Sequence, residues 1–210
     1  MGPELSALTE VQRLLPLLDS DDGEDPERDR ILAVARDHLL AHGYERFSTD
    51  RLARDAGVSR QTVYRRCGRK TDIFDAVVRA EFRRVLPRLL PLFQLDDEMQ
   101  RFVAVWCEVI VVIHDNELVR SLRDHDPDFV SQLWASMDGA TAALMRTVFA
   151  TIAPAGSDGQ AIAEASLRLV VSLYLQPTLL IPLTGPESVE AFVRRYLAPM
   201  AVGTPVVSPS

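Results

Sequence analysis

Between Ser48 and Arg66 the chain reads STDRLARDAGVSRQTVYRR, and this segment limits the fold more than any other. Two short helices held at a fixed angle need a particular residue type at several places. Ser48 is suited to cap the first helix, and Phe47 with Leu52 forms the apolar pair that brackets a helix start. Ala53 is small enough to let a second helix approach closely. Gly57 supplies the backbone freedom of a tight turn. Ser59 caps the second helix, and Val58 with Val63 repeats the apolar spacing. Leu52, Ala53, Gly57, Val58 and Val63 each answer a separate physical requirement, so together they specify a helix-turn-helix.

The second helix exposes what a DNA major groove can use. Its first residues are Arg60, Gln61 and Thr62, the part of a recognition helix that meets base edges. Arg pairs two-pronged with guanine, Gln with adenine, and a Thr methyl packs on thymine. Tyr64, Arg65 and Lys70 are placed for phosphates, with the cap-region residues Ser48, Thr49 and Ser59 beside them. Charge supports this assignment. Residues 28–70 hold eleven Lys or Arg and five Asp or Glu, within a chain whose formal net charge is −7. A small basic segment is joined to a strongly acidic remainder, as expected of a protein that touches phosphates with one face.

The rest of the chain reads as helices, which predicts an all-α fold: an N-terminal three-helix head followed by a larger helical body. Four parts are expected. Residues 1–27 form an acidic extension, in which Asp19–Asp29 has the composition of a disordered segment. Residues 28–72 form the head, 73–202 the body and 203–210 a tail. The periodicity predicts helices over Arg28–His42, from Lys70–Asp72 to Leu86 with Pro87 ending it, and over Asp97–His114, Asn116–Arg123, Pro127–Ala153, Gln160–Leu175 and Pro186–Leu197. Asp126 is the expected cap of the Pro127 helix. The most apolar stretch, Leu167–Leu183, contains Arg168 and two prolines and is short for a membrane span. With no leader-like start and two distant cysteines, a cytoplasmic chain without membrane attachment is expected.

The segment from about Arg28 to Val78 resembles the N-terminal domain of tetracycline-repressor-type (TetR) regulators. Gly43, Phe47, Leu52, Ala53, Ala56, Gly57, Val58, Ser59, Val63, Tyr64, Lys70, Ile73 and Phe74 carry the resemblance. It implies a homodimer, one DNA head per subunit, a near-palindromic double-stranded operator and a body that binds a small effector. It also implies that the last two long helices pair across the dimer. Cys67 departs from the family, which usually has a large aromatic there; Ser48 replaces a commoner Thr.

No catalytic constellation, cofactor loop or metal cluster is legible, so neither an enzyme nor a cofactor is expected. His38 and His42 lie one turn apart, but on this amphipathic helix they read as partly exposed surface residues. Trp106, His114, Trp134, Met137, Phe149 and Tyr174 would line an apolar effector pocket between three helices. Leu169, Val170 and Leu173, with Phe192, Val193 and Tyr196, would form the dimer face. Cys67, among Arg65, Arg66, Arg69 and Lys70, has the surroundings of a stabilised thiolate, set against a plain buried filler. The competing reading is a helical small-molecule binder or enzyme with a fortuitous basic head and no specific DNA binding.

Overall fold

The computed structural model describes residues 9, 12–13, 25–129, 140–181, 183 and 185–202. The expectations for the rest of residues 1–24, for Val130, Leu133, Trp134 and Met137, and for the tail 203–210 lie outside the described residues.

The head is built from α1 (Pro26–His42), α2 (Thr49–Asp55) and α3 (Arg60–Cys67). Then α4 (Lys70–Leu89) leads through a 3-10 turn (Leu90–Gln94) into α5 (Glu98–Asp115), α6 (Glu117–His125), α7 (Ala140–Ala150) and α8 (Gly159–Leu175). The last stretch is α9 (Pro186–Phe192), a π turn (Val193–Leu197) and α10 (Ala198–Ala201). Among the described residues no strand forms beyond one isolated bridge, Thr178 with Ile181. The fold is therefore all-α, as the sequence predicts.

Three local expectations change, and a fourth is extended. Asp25–Asp29 is not an irregular acidic run: Asp25 caps α1 by accepting the Arg28 N–H, and Pro26 opens the helix. Pro87 does not stop α4, which runs on to Leu89. Being within the last turn, it removes one N–H and the chain tightens directly into the 3-10 turn. Asp126 precedes the helical residues 127–129, and its carboxylate has long-range partners that the sequence does not show: it accepts the backbone N–H groups of Tyr44 and, at 3.3 Å, Glu45. The final helix passes Leu197 because the backbone widens to a π turn, with the Ala198 N–H reaching the Val193 carbonyl ahead of Pro199.

Two apolar cores result. The head core joins Ile31, Leu39, Leu52, Val63 and Cys67 to Ile73, Phe74 and Val77 of α4, and it takes in Leu118 and Leu122 of α6. The body core gathers Phe82, Leu86 and Leu89 of α4 with Phe102, Trp106, Ile110, Phe149, Leu167 and Val193. One helix, α4, thus contributes to both cores, and α1 packs along α6. Head and body are locked through shared elements.

Candidate nucleic-acid interface

The angle between α2 and α3 is set by short-range contacts. Ser48 Oγ accepts the Arg51 N–H at 3.4 Å and Ser59 Oγ accepts the Thr62 N–H at 3.0 Å, so both serines cap. Gly57 has φ of 67°, the left-handed conformation the turn needs, and the Val58 N–H then reaches the Ala53 carbonyl at 2.9 Å. Leu52 and Val63 are fully buried beneath the turn.

Burying that face leaves the other to solvent. Ser59, Arg60, Gln61 and Arg65 are exposed, Tyr64 is 41% exposed, and Thr62 is half-buried. Arg60 Nε pairs with Asp50 Oδ1 at 3.0 Å, its Nη2 donates to the Tyr64 hydroxyl at 3.4 Å, and its guanidinium lies over the Tyr64 ring. Hydrogen bonds from Arg60, then Thr49, hold the Tyr64 hydroxyl below its ordinary pKa. Both members of the Arg60–Asp50 pair are solvated, so the pair is weak and exchangeable for a base edge.

Beside this face lies an open depression of about 430 Å³ lined by Phe47, Ser48, Thr49, Tyr64, Arg69 and Lys70. Four of these lining residues are the DNA-binding candidates Ser48, Thr49, Tyr64 and Lys70. Lys70 Nζ donates to the Glu45 carbonyl at 3.2 Å and sits 4.3 Å from the Tyr44 ring centroid, which fixes where the charge stands. Burial lowers its pKa, against the pull of Asp126 and Glu45. Arg69 belongs to the same wall and is an addition to the candidates; its signal was the basic run RRCGRK itself.

Other readings shift. Arg66, part of that basic run, is engaged by Asp25 at 2.8 Å and Glu27 at 3.2 Å. His38 is buried rather than a surface residue, with Nε2 at 2.8 Å from Asp55 Oδ2, and the His42 ring accepts from Arg51 at 3.0 Å. Cys67 is buried in the head core, and burial pushes its thiol up despite Arg28 and Arg66. The exposed-thiolate reading fails because the side chain points inward; it fills the core.

In the body, Trp106, Phe149 and Tyr174 are buried and His114 is half-buried. Trp106 meets Phe149 at 5.4 Å and His114 meets Tyr174 at 5.0 Å between ring centroids. Trp134 and Met137 lie outside the described residues. Of the dimer-face residues, Val170, Phe192 and Val193 are buried in the subunit's own core, because the α8 and α9 faces that carry them pack inward. Leu169 and Leu173 are half-buried and Tyr196 is 40% exposed. Beyond α8, Leu179 and Leu180 are almost wholly exposed. No described helix is long and apolar enough to cross a membrane.

Residues 31–77 match the sequence profile of the bacterial regulatory proteins of the tetR family. No curated protein matches the sequence. Among solved structures, that of the R. erythropolis transcriptional repressor QsdR from TetR family superposes with a TM-score of 0.58 at 20% identity, covering 87% of this chain and 97% of that one. The matched segment is the one that carries both the turn and the exposed basic helix. Residues 31–77 thus carry a domain of the kind found in the bacterial regulatory proteins of the tetR family, and the described residues share the all-α fold of that solved repressor.

Proposed function

We propose that the protein is a cytoplasmic homodimeric repressor whose two heads read successive major grooves of a palindromic operator and are released by a small, largely apolar effector. The observation that carries this reading is the α3 surface, where Arg60 and Gln61 stand exposed next to a depression walled by Tyr64, Arg69 and Lys70. Base-reading and phosphate-holding groups lie side by side on one rigid unit. Leu169, Leu173 and Tyr196 remain for a partner subunit, with Leu179 and Leu180 as further apolar surface. Effector release follows from α4: a ligand that favours one arrangement of the body core shifts Phe82, Leu86 and Leu89, and α4 carries the shift to Ile73, Phe74 and Val77.

Selection of bound DNA from a random pool tests the reading; a palindromic motif is the expected result, and an unstructured pool would overturn it. Arg60→Ala should then lose about 1–3 kcal/mol of discrimination at one base position. Lys70→Ala should weaken all sequences alike and lower the salt slope by about one.

Arg66 supplies a second measurement. Exchanging Asp25→Asn together with Glu27→Gln keeps a capping side chain on α1 and releases the guanidinium. Affinity should rise on every sequence, and the slope of log affinity against log salt should steepen by about 0.9 for the added phosphate contact. Stability should change by less than about 1 kcal/mol, because both pairs are partly exposed and screened by solvent. An unchanged salt slope would show that Arg66 does not reach a phosphate.

A further inference from the structure

The loop of residues 43–47 joins α1 to α2 and leads into the cap Ser48. Two of its anchors come from just beyond α6. Asp126 Oδ2 accepts the N–H groups of both Tyr44 and Glu45. The residue is 7% exposed, so the carboxylate serves the loop rather than solvent. A buried carboxylate needs such donors to offset its lost hydration. Phe129 stacks on the Tyr44 ring, with centroids 3.9 Å apart and planes within 8°, and meets Phe74 edge to face.

The same two loop residues are the seat of Lys70. Its Nζ donates to the Glu45 carbonyl at 3.2 Å and stands 4.3 Å from the Tyr44 ring centroid. The parallel Phe129 ring fills one face of Tyr44, so the ammonium takes the other. Whatever fixes Tyr44 and Glu45 therefore fixes Lys70. An unseated lysine has a long flexible stem and spreads over many rotamers, all of which a phosphate contact must then restrict. A seated one meets the phosphate with that freedom already lost.

We propose that Asp126 is a positioning residue for DNA binding: by holding Tyr44 and Glu45 it seats Lys70 for its phosphate. The proposal rests on the reading of Lys70 as a phosphate contact. It gives the body a link to the DNA face that runs through the loop rather than along α4. Ser121 of α6 supports the same junction, since its Oγ donates to the Leu40 carbonyl at the end of α1. Charge alone predicts the opposite sign for Asp126. A carboxylate near a phosphate repels it, so its removal would strengthen binding, whereas loss of the seat weakens it.

Fluorescence anisotropy of the full chain tests this, with the operator recovered by selection and a scrambled duplex, each titrated across a salt series. Asp126→Ala should weaken binding to both duplexes and lower the slope of log affinity against log salt by up to about 0.9, the share of one phosphate contact. Asp126→Asn keeps an oxygen acceptor without the charge and should restore the slope. In a Lys70→Ala background Asp126→Ala should lower the slope no further, because the seat is then empty. Phe129→Leu leaves the carboxylate in place and removes only the stacked ring. It should lower the slope in the same direction, again only where Lys70 is present, and it decides the matter if the melting curve shows that Asp126→Ala does not fold. A merely structural role would lower the melting temperature and leave the slope unaltered, which overturns the proposal. So does a rise in affinity, or an equal loss of slope with and without Lys70. Wild-type protein that binds neither duplex overturns the DNA-binding reading itself, whereas wild-type binding with an unaltered slope in the folded variants overturns the seat alone.

Discussion

Gly43→Ala is expected to destabilise the protein by about 2–5 kcal/mol, from backbone strain and overpacking acting together. Gly43 ends α1, with its N–H on the Leu39 carbonyl at 2.9 Å and a backbone at φ 73°, ψ −173°. That region of backbone space is open essentially to glycine alone. The site is also crowded: a Cβ here would collide with the Asp126 carboxylate and stand 2.7 Å from His125 Cβ. Neither neighbour has room to yield. Asp126 holds the N–H groups of Tyr44 and Glu45, and His125 Nδ1 donates to the Ser121 carbonyl at 2.9 Å. Ser121 in turn donates to the Leu40 carbonyl at 2.7 Å, closing the end of α1 onto α6. Gly156 is the control, with φ 81° and nothing within 4 Å of its Cβ position. Gly156→Ala should cost only the backbone share, about 1–2 kcal/mol. Urea unfolding of both variants measures the difference, and equal losses would remove the contact with Asp126 from the account.

That junction shows where sequence reasoning succeeds and where it stops. The caps Ser48 and Ser59, the turn glycine Gly57 and the inward Val63 were legible because each acts within about four residues of itself. Asp126 has the same local appearance, an acid before a proline, yet its partners Tyr44 and Glu45 are more than eighty residues away. Arg66 looks like surface charge in a run of basics, and only the fold brings Asp25 and Glu27 to it. His38 is one turn from His42 in sequence, but Asp55 on the next helix decides its role. The apolar faces of α8 and α9 pose the same problem. Periodicity shows that Val170, Phe192 and Val193 must be covered, and it is silent on whether the cover is the same subunit or another. In the charge count, segregation between head and body was readable while individual pairings were not.

Glu81 has the same long-range character and carries the second large effect. It lies on α4 between Val77 of the head core and Phe82 of the body core, and it is 9% exposed. Its carboxylate accepts from Arg36 Nε of α1 at 2.6 Å and from Asn116 Nδ2, between α5 and α6, at 3.0 Å. Arg84 of α4 also donates to it. One side chain thus ties the head, the connecting helix and the body, and any movement of α4 must carry or break these bonds. Burial raises the Glu81 pKa, but the hydrogen bonds of Arg36 and Asn116 and the charges of Arg36 and Arg84 outweigh it, leaving the carboxyl below its ordinary value. A folded-state pKa below the unfolded one adds stability above the ordinary carboxylate pKa of about 4.3, and this is lost as pH falls through the depressed value. Glu81→Ala should cost about 2–3 kcal/mol near neutral pH, below the roughly 3–5 of a fully buried pair, because Arg36 keeps 23% exposure and can turn to Glu117 at 3.7 Å. The loss should shrink in acid, where the wild-type carboxyl is itself protonated. A cycle with Arg36→Ala should return a coupling of about 1–2 kcal/mol. If the two single losses simply added, or if the cost of Glu81→Ala did not fall in acid, the carboxylate would not be what joins α1 to α4.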